Sequence, residues 1–379
     1  MHTLELMARL AADLLDALAA AASPLPCNRA HPRVSEAESE SAFRFWAGHG
    51  VAGLVLRIYD PVSLSQALGA EYLTRLQQIA SESQYQALRL LAVLRPILAL
   101  AASAGIAVAP FKGPTEAQLL YGDAGVRSTS DLDLLVSPHH LDDLLDHLKL
   151  SGWMLDGVYA DMGPWARRWY RHTNHALVLR SVTGVALDLH WRVNEYPLLK
   201  IDESRWLEDG CLPARFAGQS AWQLKPEARY LALLSHAARS EWFLLKWWAD
   251  LVRARQLAVL ALGEAGLMSV LQATDAVNLD LAWQQAWSRM RQGVLPQSGE
   301  TGFWLLSEVR PDPRQYFAHM WHLRQNLYYR WVLCWREAVR WDDFKRMSLP
   351  DALFPVYFFV RLPLMAWRRV VTILASRRY

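Results

Sequence analysis

The sequence predicts an α+β protein in which a small mixed sheet is embedded between N-terminal helices and a mainly helical C-terminal part. Short apolar runs of strand type gather between about residues 105 and 200, and stretches with helical spacing fill both flanks. A glycine turn joins the first strand directly to a helix. These three observations set the division into residues 1–104, 105–200 and 201–379.

The elements follow in order. Leu4 to Ala22 carries Glu5, Arg9, Asp13 and Asp16 at amphipathic-helix spacing, and Met1 to Glu5 lacks a basic signal-peptide start, so a soluble helix is expected. A proline-rich break covers Ser23 to Pro32. A second helix is expected from about Glu36 into Phe43, and a long one from Ser83 to Ser103 that Pro96 kinks. Ile106 to Phe111 reads as a strand, Lys112-Gly113-Pro114-Thr115 as a turn, and Glu116 to Tyr121 as a helix opening. Asp131 to Val136 is a second strand. Ser137 and Pro138 open a helix that runs to Leu150 and is closed by Gly152. His175 to Arg180 and Val185 to Trp191, joined by Ser181 to Gly184, read as a β-hairpin. Residues 201–379 read as helical, with a loop from Gly293 to Gly302 around Pro296, and no internal repeat is visible.

The chemistry starts from Asp131-Leu132-Asp133. In a strand, the period of two sends both carboxylates to one face and Leu132, Leu134 and Val136 to the other, into a core. Adjacent ionised carboxylates repel unless a positive charge lies between them, and a hard divalent cation with oxygen ligands is the usual resolution. Asp-x-Asp alone is most often a solvated face or a helix cap; its context makes the difference. Upstream, a strand running through Gly113 into a helix N-terminus is an anion-binding arrangement, with Lys112 adding a point charge. Downstream, the polar face of the hairpin carries a third carboxylate, Asp188, with His190 as its companion.

These motifs resemble the uncharacterised bacterial nucleotidyltransferase family of the DNA polymerase β superfamily. The resemblance rests on Lys112-Gly113, Arg127-Ser-Thr-Ser-Asp131-Leu-Asp133-Leu-Leu-Val136, Leu187-Asp188-Leu-His-Trp191, Leu224-Lys-Pro-Glu227 leading to Leu233-Leu-Ser-His236, and Trp247-Trp-Ala-Asp-Leu251. It spans roughly residues 85–260. It implies that Asp131 and Asp133 hold two Mg²⁺ ions, or Mn²⁺ in their place, and that Asp188 completes the metal site and activates the attacking hydroxyl. Two metals about 4 Å apart clamp the attacking and leaving oxygens of an in-line displacement. Lys112, Gly113 and the following amides would cradle the triphosphate, one contact coming from the Thr115 or Glu116 amide, Arg127 would make a forked phosphate contact, and Ser130 and His190 would join the nucleotide set. The implied partners are an NTP, ATP foremost, and an unidentified acceptor. The superfamily usually carries two small residues at the phosphate turn, where this chain has Gly113-Pro114; proline has no N–H to donate but suits the first position of a helix. That departure sustains a second reading, a nucleotide-binding scaffold on the same fold that does not turn over. His236 and Asp250 read as structural.

Composition sets outer bounds. With 53% hydrophobic and 20% charged residues the chain is a folded, core-rich protein. Its 18 tryptophans cluster in the second half (Trp242, Trp247, Trp248, Trp283, Trp287, Trp321, Trp331, Trp335), where packing between helices is expected before base stacking. Cys27, Cys211 and Cys334 form neither a disulfide framework nor a zinc motif, which suits the reducing cytoplasm. The net charge of +3 leaves no nucleic-acid footprint. Residues 351–379 hold Asp351 against Arg361, Arg368, Arg369, Arg377 and Arg378 among aromatic residues. Interrupted by Pro355 and Pro363, they fall short of the roughly 20 apolar residues that span a bilayer. A docked C-terminal helix is the first expectation there, and a weak peripheral contact with anionic lipid the second.

Overall fold

The computed structural model describes residues 2–21, 29–194, 197–202, 205–293, 313–338, 350–353, 356, 359–360 and 363. Cys27, the Gly293–Gly302 loop beyond its first residue, and the arginines of the tail lie outside them.

Five helices open the chain: α1 (His2–Ala20), α2 (Glu36–Gly48), α3 (Ala52–Ile58), α4 (Pro61–Leu68) and α5 (Ala70–Ser103). Ser35 and Glu38 close a capping box on α2. Asp60 accepts the Ser63 amide at the start of α4. The mixed unit follows as β1 (Val108–Pro110), α6 (Gly113–Tyr121), β2 (Leu132–Val136), α7 (Leu141–Leu150), β3 (Met154–Leu155), α8 (Pro164–Thr173), β4 (Ala176–Arg180) and β5 (Ala186–His190). Then come α9 (Trp206–Gly210), β6 (Cys211–Phe216), β7 (Gln219–Leu224), α10 (Pro226–Arg239), α11 (Leu245–Ala273), α12 (Val277–Arg291), α13 (Pro313–Leu323) and α14 (Leu327–Ala338).

The five-stranded sheet has the order β1-β2-β5-β4-β3. It is mixed: β2 and β5 are parallel, while the β1–β2, β4–β5 and β3–β4 pairs are antiparallel. The expected hairpin is β4–β5. Register matters most between β2 and β5, where Asp133 lies directly opposite Asp188. Their alternating neighbours Leu132, Leu134, Val136, Leu187 and Leu189 are all buried in one cluster with α5, α7 and α8. The acidic face looks the other way, toward a second cluster built from α1–α4, α6 and α10–α12, which also takes in Phe111 and Leu135. α5 serves both clusters, giving Leu76 to the helical one and Leu90, Leu94, Ile97 and Leu98 to the one under the sheet.

Three differences from the sequence reading stand out. α5 starts at Ala70 and carries Pro96 within one continuous helix. The two-residue edge strand β3 was not foreseen. The region from 201 onward contains the hairpin β6–β7, turned through Ala217 and Gly218 at φ 48° and 80°. Two successive residues with positive φ match the type I′ geometry that suits a hairpin's twist. Of the clustered tryptophans, Trp242, Trp248 and Trp283 are fully buried, Trp247, Trp287 and Trp321 are half-buried, and Trp331 is exposed. By length and composition α5 and α11 could each cross a membrane. α5 gives residues to both clusters, with 33% of its apolar window buried; the α11 window is 17% buried, and Gly263 (φ 70°, ψ 166°) interrupts the helical backbone of α11.

Candidate active site

The site is built where β1 ends. Lys112 (φ 58°) and Gly113 (φ 53°) both adopt positive φ, which turns the chain from β1 into α6. A Cβ on Gly113 would stand 3.2 Å from the Asp131 carbonyl oxygen, so glycine lets the turn lie against the chain entering β2. At the head of α6 Pro114 has no N–H, and the Glu116 amide donates to the Lys112 carbonyl at 3.1 Å. The helical pattern leaves the amides of Gly113 and Thr115 as first-turn donors. The Thr115 hydroxyl is turned inward, donating to the Lys112 carbonyl at 3.1 Å.

Asp133 is the hub. Its Oδ1 accepts from Lys112 Nζ at 3.2 Å and lies 2.9 Å from His190 Nε2. Although burial opposes it, the Lys112 charge and the His190 hydrogen bond hold this carboxyl well below the usual carboxylate range. His190 is buried edge-on to Phe111 with ring centroids 4.9 Å apart, and burial lowers its pKa. A neutral ring beside an ionised carboxylate donates Nε2–H to it. His190 was expected to serve Asp188 or the nucleotide. It is 1% exposed and fixes Asp133 instead.

Asp133, Asp188 and His190 each bring a ligand atom within 4.8 Å of the others, a geometry that could hold a metal ion. Asp131 stands just outside β2 and accepts from the Ser130 hydroxyl at 3.0 Å, which gives Ser130 a place beside a carboxylate. Burial and then the Asp133 charge raise its pKa. Asp188 is pushed up to about 7 by burial, then by Asp133 and Asp131. Asp131 and Asp188 thus lack counter-charge. A carboxyl raised above its unfolded value keeps its proton longer in the folded chain, so this contribution to stability falls as pH rises from about 4 to about 7. Asp188→Asn is therefore expected to match the wild type near pH 4 and to exceed it by on the order of a few kcal/mol at pH 8 without metal. Thermal melts across that range check this, and a gap that does not widen with pH would rule out the repulsion.

Arg127, expected to make a forked phosphate contact, is 5% exposed and engaged by the protein itself. Nε pairs with Asp250 Oδ1 at 2.9 Å, and Nη2 reaches the Gly113 carbonyl at 3.4 Å. Tyr121 donates to the same Asp250 oxygen at 2.8 Å. Arg127 thereby ties the phosphate turn to α11 and positions it from behind. A parallel tie joins Glu116 of α6 to Arg229 of α10 at 2.8 Å, again between buried side chains. Lys246 of α11 donates to the Ser128 carbonyl at 3.1 Å. The sequence suggested no side-chain pairing for Glu116, Arg229 or Lys246, because each pairing spans roughly a hundred residues and no local spacing announces it. His236, taken as structural, is half-buried with its ring edge-on to Trp247 at 5.1 Å, within electrostatic reach of Asp133 and Lys112.

The loop that carries Asp131 is gripped from the N-terminal side as well. A Cβ on Gly53 would meet the Val126 carbonyl oxygen at 2.5 Å, and one on Gly125 would meet Gln84 Cα at 2.5 Å. The Ser128 amide donates to the Gly50 carbonyl at 3.0 Å.

Residues 35–263 match the family described as uncharacterised nucleotidyltransferase. The match begins some fifty residues before the stretch on which the sequence resemblance rests, and takes in the helices that grip the Asp131 loop. No curated protein matches the chain. Among solved structures, the solution structure of the antibiotic-resistance factor ANT(2″)-Ia is 15% identical, covering 54% of this chain and 97% of that one at a TM-score of 0.33. The crystal structure of ANT(2″)-Ia with adenylyl-2″-tobramycin is 14% identical, covering 51% and 98% at 0.33. An antigenic nucleotidyltransferase-like protein from Paracoccidioides brasiliensis is 18% identical, covering 55% and 94% at 0.31.

Proposed function

The chain belongs to the family of uncharacterised nucleotidyltransferases, and from that premise we propose that it moves an NMP from an NTP, with ATP as donor, to a hydroxyl or phosphate of an acceptor. The proposed chemistry is the two-metal displacement of the DNA polymerase β superfamily. The observation that carries it is the Asp133–Asp188–His190 cluster, flanked by Asp131 and set beside Lys112 and the head of α6.

The residues fit a hard divalent cation. Carboxylate oxygens are the ligands Mg²⁺ favours, and the raised pKa values of Asp131 and Asp188 mark a place short of positive charge. Asp131, Asp133 and Asp188 would hold the metal. Mg²⁺, or Mn²⁺ in its place, would supply charge for the phosphates and acidify the attacking hydroxyl. The chain's own groups do the rest. Lys112 and His190 keep Asp133 ionised and fixed. Asp188 would activate the attacking hydroxyl, either by accepting its proton or by binding the metal that acidifies it. The Gly113 and Thr115 amides face the phosphates. Free thiols at Cys211 and Cys334 support a cytoplasmic location. The scaffold reading keeps one specific support, the N–H missing at Pro114.

Calorimetry of ATP binding with and without Mg²⁺ tests the proposal on the wild type and on Asp131→Ala/Asp133→Ala. Mg²⁺-dependent binding by the wild type that disappears in the folded double variant is the expected result. A folded wild type that binds no ATP in Mg²⁺ or Mn²⁺ would sink the proposal.

A further inference from the structure

The corner between α10 and α11 brings a second set of cations to the acidic cluster. Lys246, in the first turn of α11, is half-buried, and its ammonium is held by two neutral groups, the Ser128 carbonyl at 3.1 Å and the Ser128 hydroxyl at 3.4 Å. No carboxylate among the described residues lies within ion-pair distance of it, whereas Arg127 and Arg229 nearby each have one. An ammonium withdrawn from water without an anion carries an uncompensated desolvation cost, and burial with the Arg127 charge lowers its pKa to about 8. It is nonetheless within electrostatic reach of Asp250 and of Asp131. Arg239 of α10 acts in turn on Asp188 and His236.

Lys112, the cation that sequence reasoning assigned to the phosphates, is already paired with Asp133 at 3.2 Å. A triphosphate entering this site adds negative charge to three carboxylates, and Lys112 is shared between the two. Lys246 is the nearby ammonium whose present partners are neutral. Exchanging them for an ionised phosphate oxygen gives the ammonium an anionic acceptor, so that both donor and acceptor carry charge.

Resting on the nucleotidyltransferase reading, we propose that Lys246 binds the β- and γ-phosphates of the nucleotide, its ammonium leaving Ser128 for phosphate oxygens when the triphosphate enters. Sensitivity to the length of the phosphate chain separates this contact from a role in holding the Ser128 loop. Calorimetry compares Mg²⁺-ATP, directly, with AMP, by competition, on the wild type, Lys246→Met, Lys246→Arg and Ser128→Ala. Lys246→Met is expected to weaken ATP about 10- to 100-fold and leave AMP unchanged, while Lys246→Arg keeps most of the ATP affinity. Ser128→Ala, which removes a resting partner but not the charge, is expected to bind ATP as the wild type does. Equal losses for ATP and AMP, an unchanged ATP affinity in Lys246→Met, or a Ser128→Ala variant that reproduces the loss would each overturn the assignment. A wild type that binds no Mg²⁺-ATP would overturn the parent reading along with it.

Discussion

Asp133→Asn is expected to lower nucleotidyl transfer by about 10³-fold or more while the far-UV circular dichroism stays that of the wild type. The substitution keeps the shape of the side chain and removes the charge on which Lys112 and His190 converge. It also takes one anionic ligand from the cluster that could hold metal. Mg²⁺ titration should show the loss as weakened metal affinity, and steady-state transfer as a fall in kcat beyond any change in KM for ATP. Near-wild-type turnover would remove Asp133 from the mechanism and shift attention to Asp131 and Asp188.

The position of Asp133 was legible in the sequence because a strand's period of two is rigid. Once Leu132, Leu134 and Val136 are assigned to a core, the carboxylate has one face left, and the same logic places Asp188 opposite Leu187 and Leu189. The parallel pairing that sets the two residues side by side was not legible, since register between distant strands leaves no local trace. The hairpin β6–β7 escaped for a different reason. Its turn is Ala217-Gly218, where Asn-Gly or Asp-Gly would have announced it, and Pro213 weakens the strand signal. Arg127 was recognised as part of the site because an arginine beside such a turn suggests phosphate, and only the fold shows Asp250 buried against it.

The second large effect concerns that pair. Asp250→Ala is expected to lower stability by about 3–5 kcal/mol, because it leaves Arg127 buried without a counter-ion. Tyr121 loses its acceptor at the same time. Arg127→Met/Asp250→Leu should recover much of the loss, since apolar groups of similar size replace a buried pair at little net cost. Chemical denaturation of the three proteins checks this. A single variant within 1 kcal/mol of the wild type, a threshold below the usual cost of an unsatisfied buried group, would mean that water reaches the guanidinium. Because Arg127 also reaches the Gly113 carbonyl, the double variant should be stable yet bind ATP more weakly than the wild type.

The tight seam of Gly53 and Gly125 has a consequence for how this chain can be divided. Gly53 lies in α3 and abuts Val126, and Gly125 abuts Gln84 of α5, while Lys246 holds Ser128 from 118 residues downstream. The smallest piece able to hold Asp131 in register is therefore not contiguous. A fragment cut to the strands and their connecting helices would keep every carboxylate and lose the clamp on the loop that delivers one of them. Insertions between the three stretches cost only loop entropy, whereas a single methyl group at the seam meets backbone atoms that cannot step aside. Tolerance to change in this protein should thus follow distance from that seam more closely than distance along the chain.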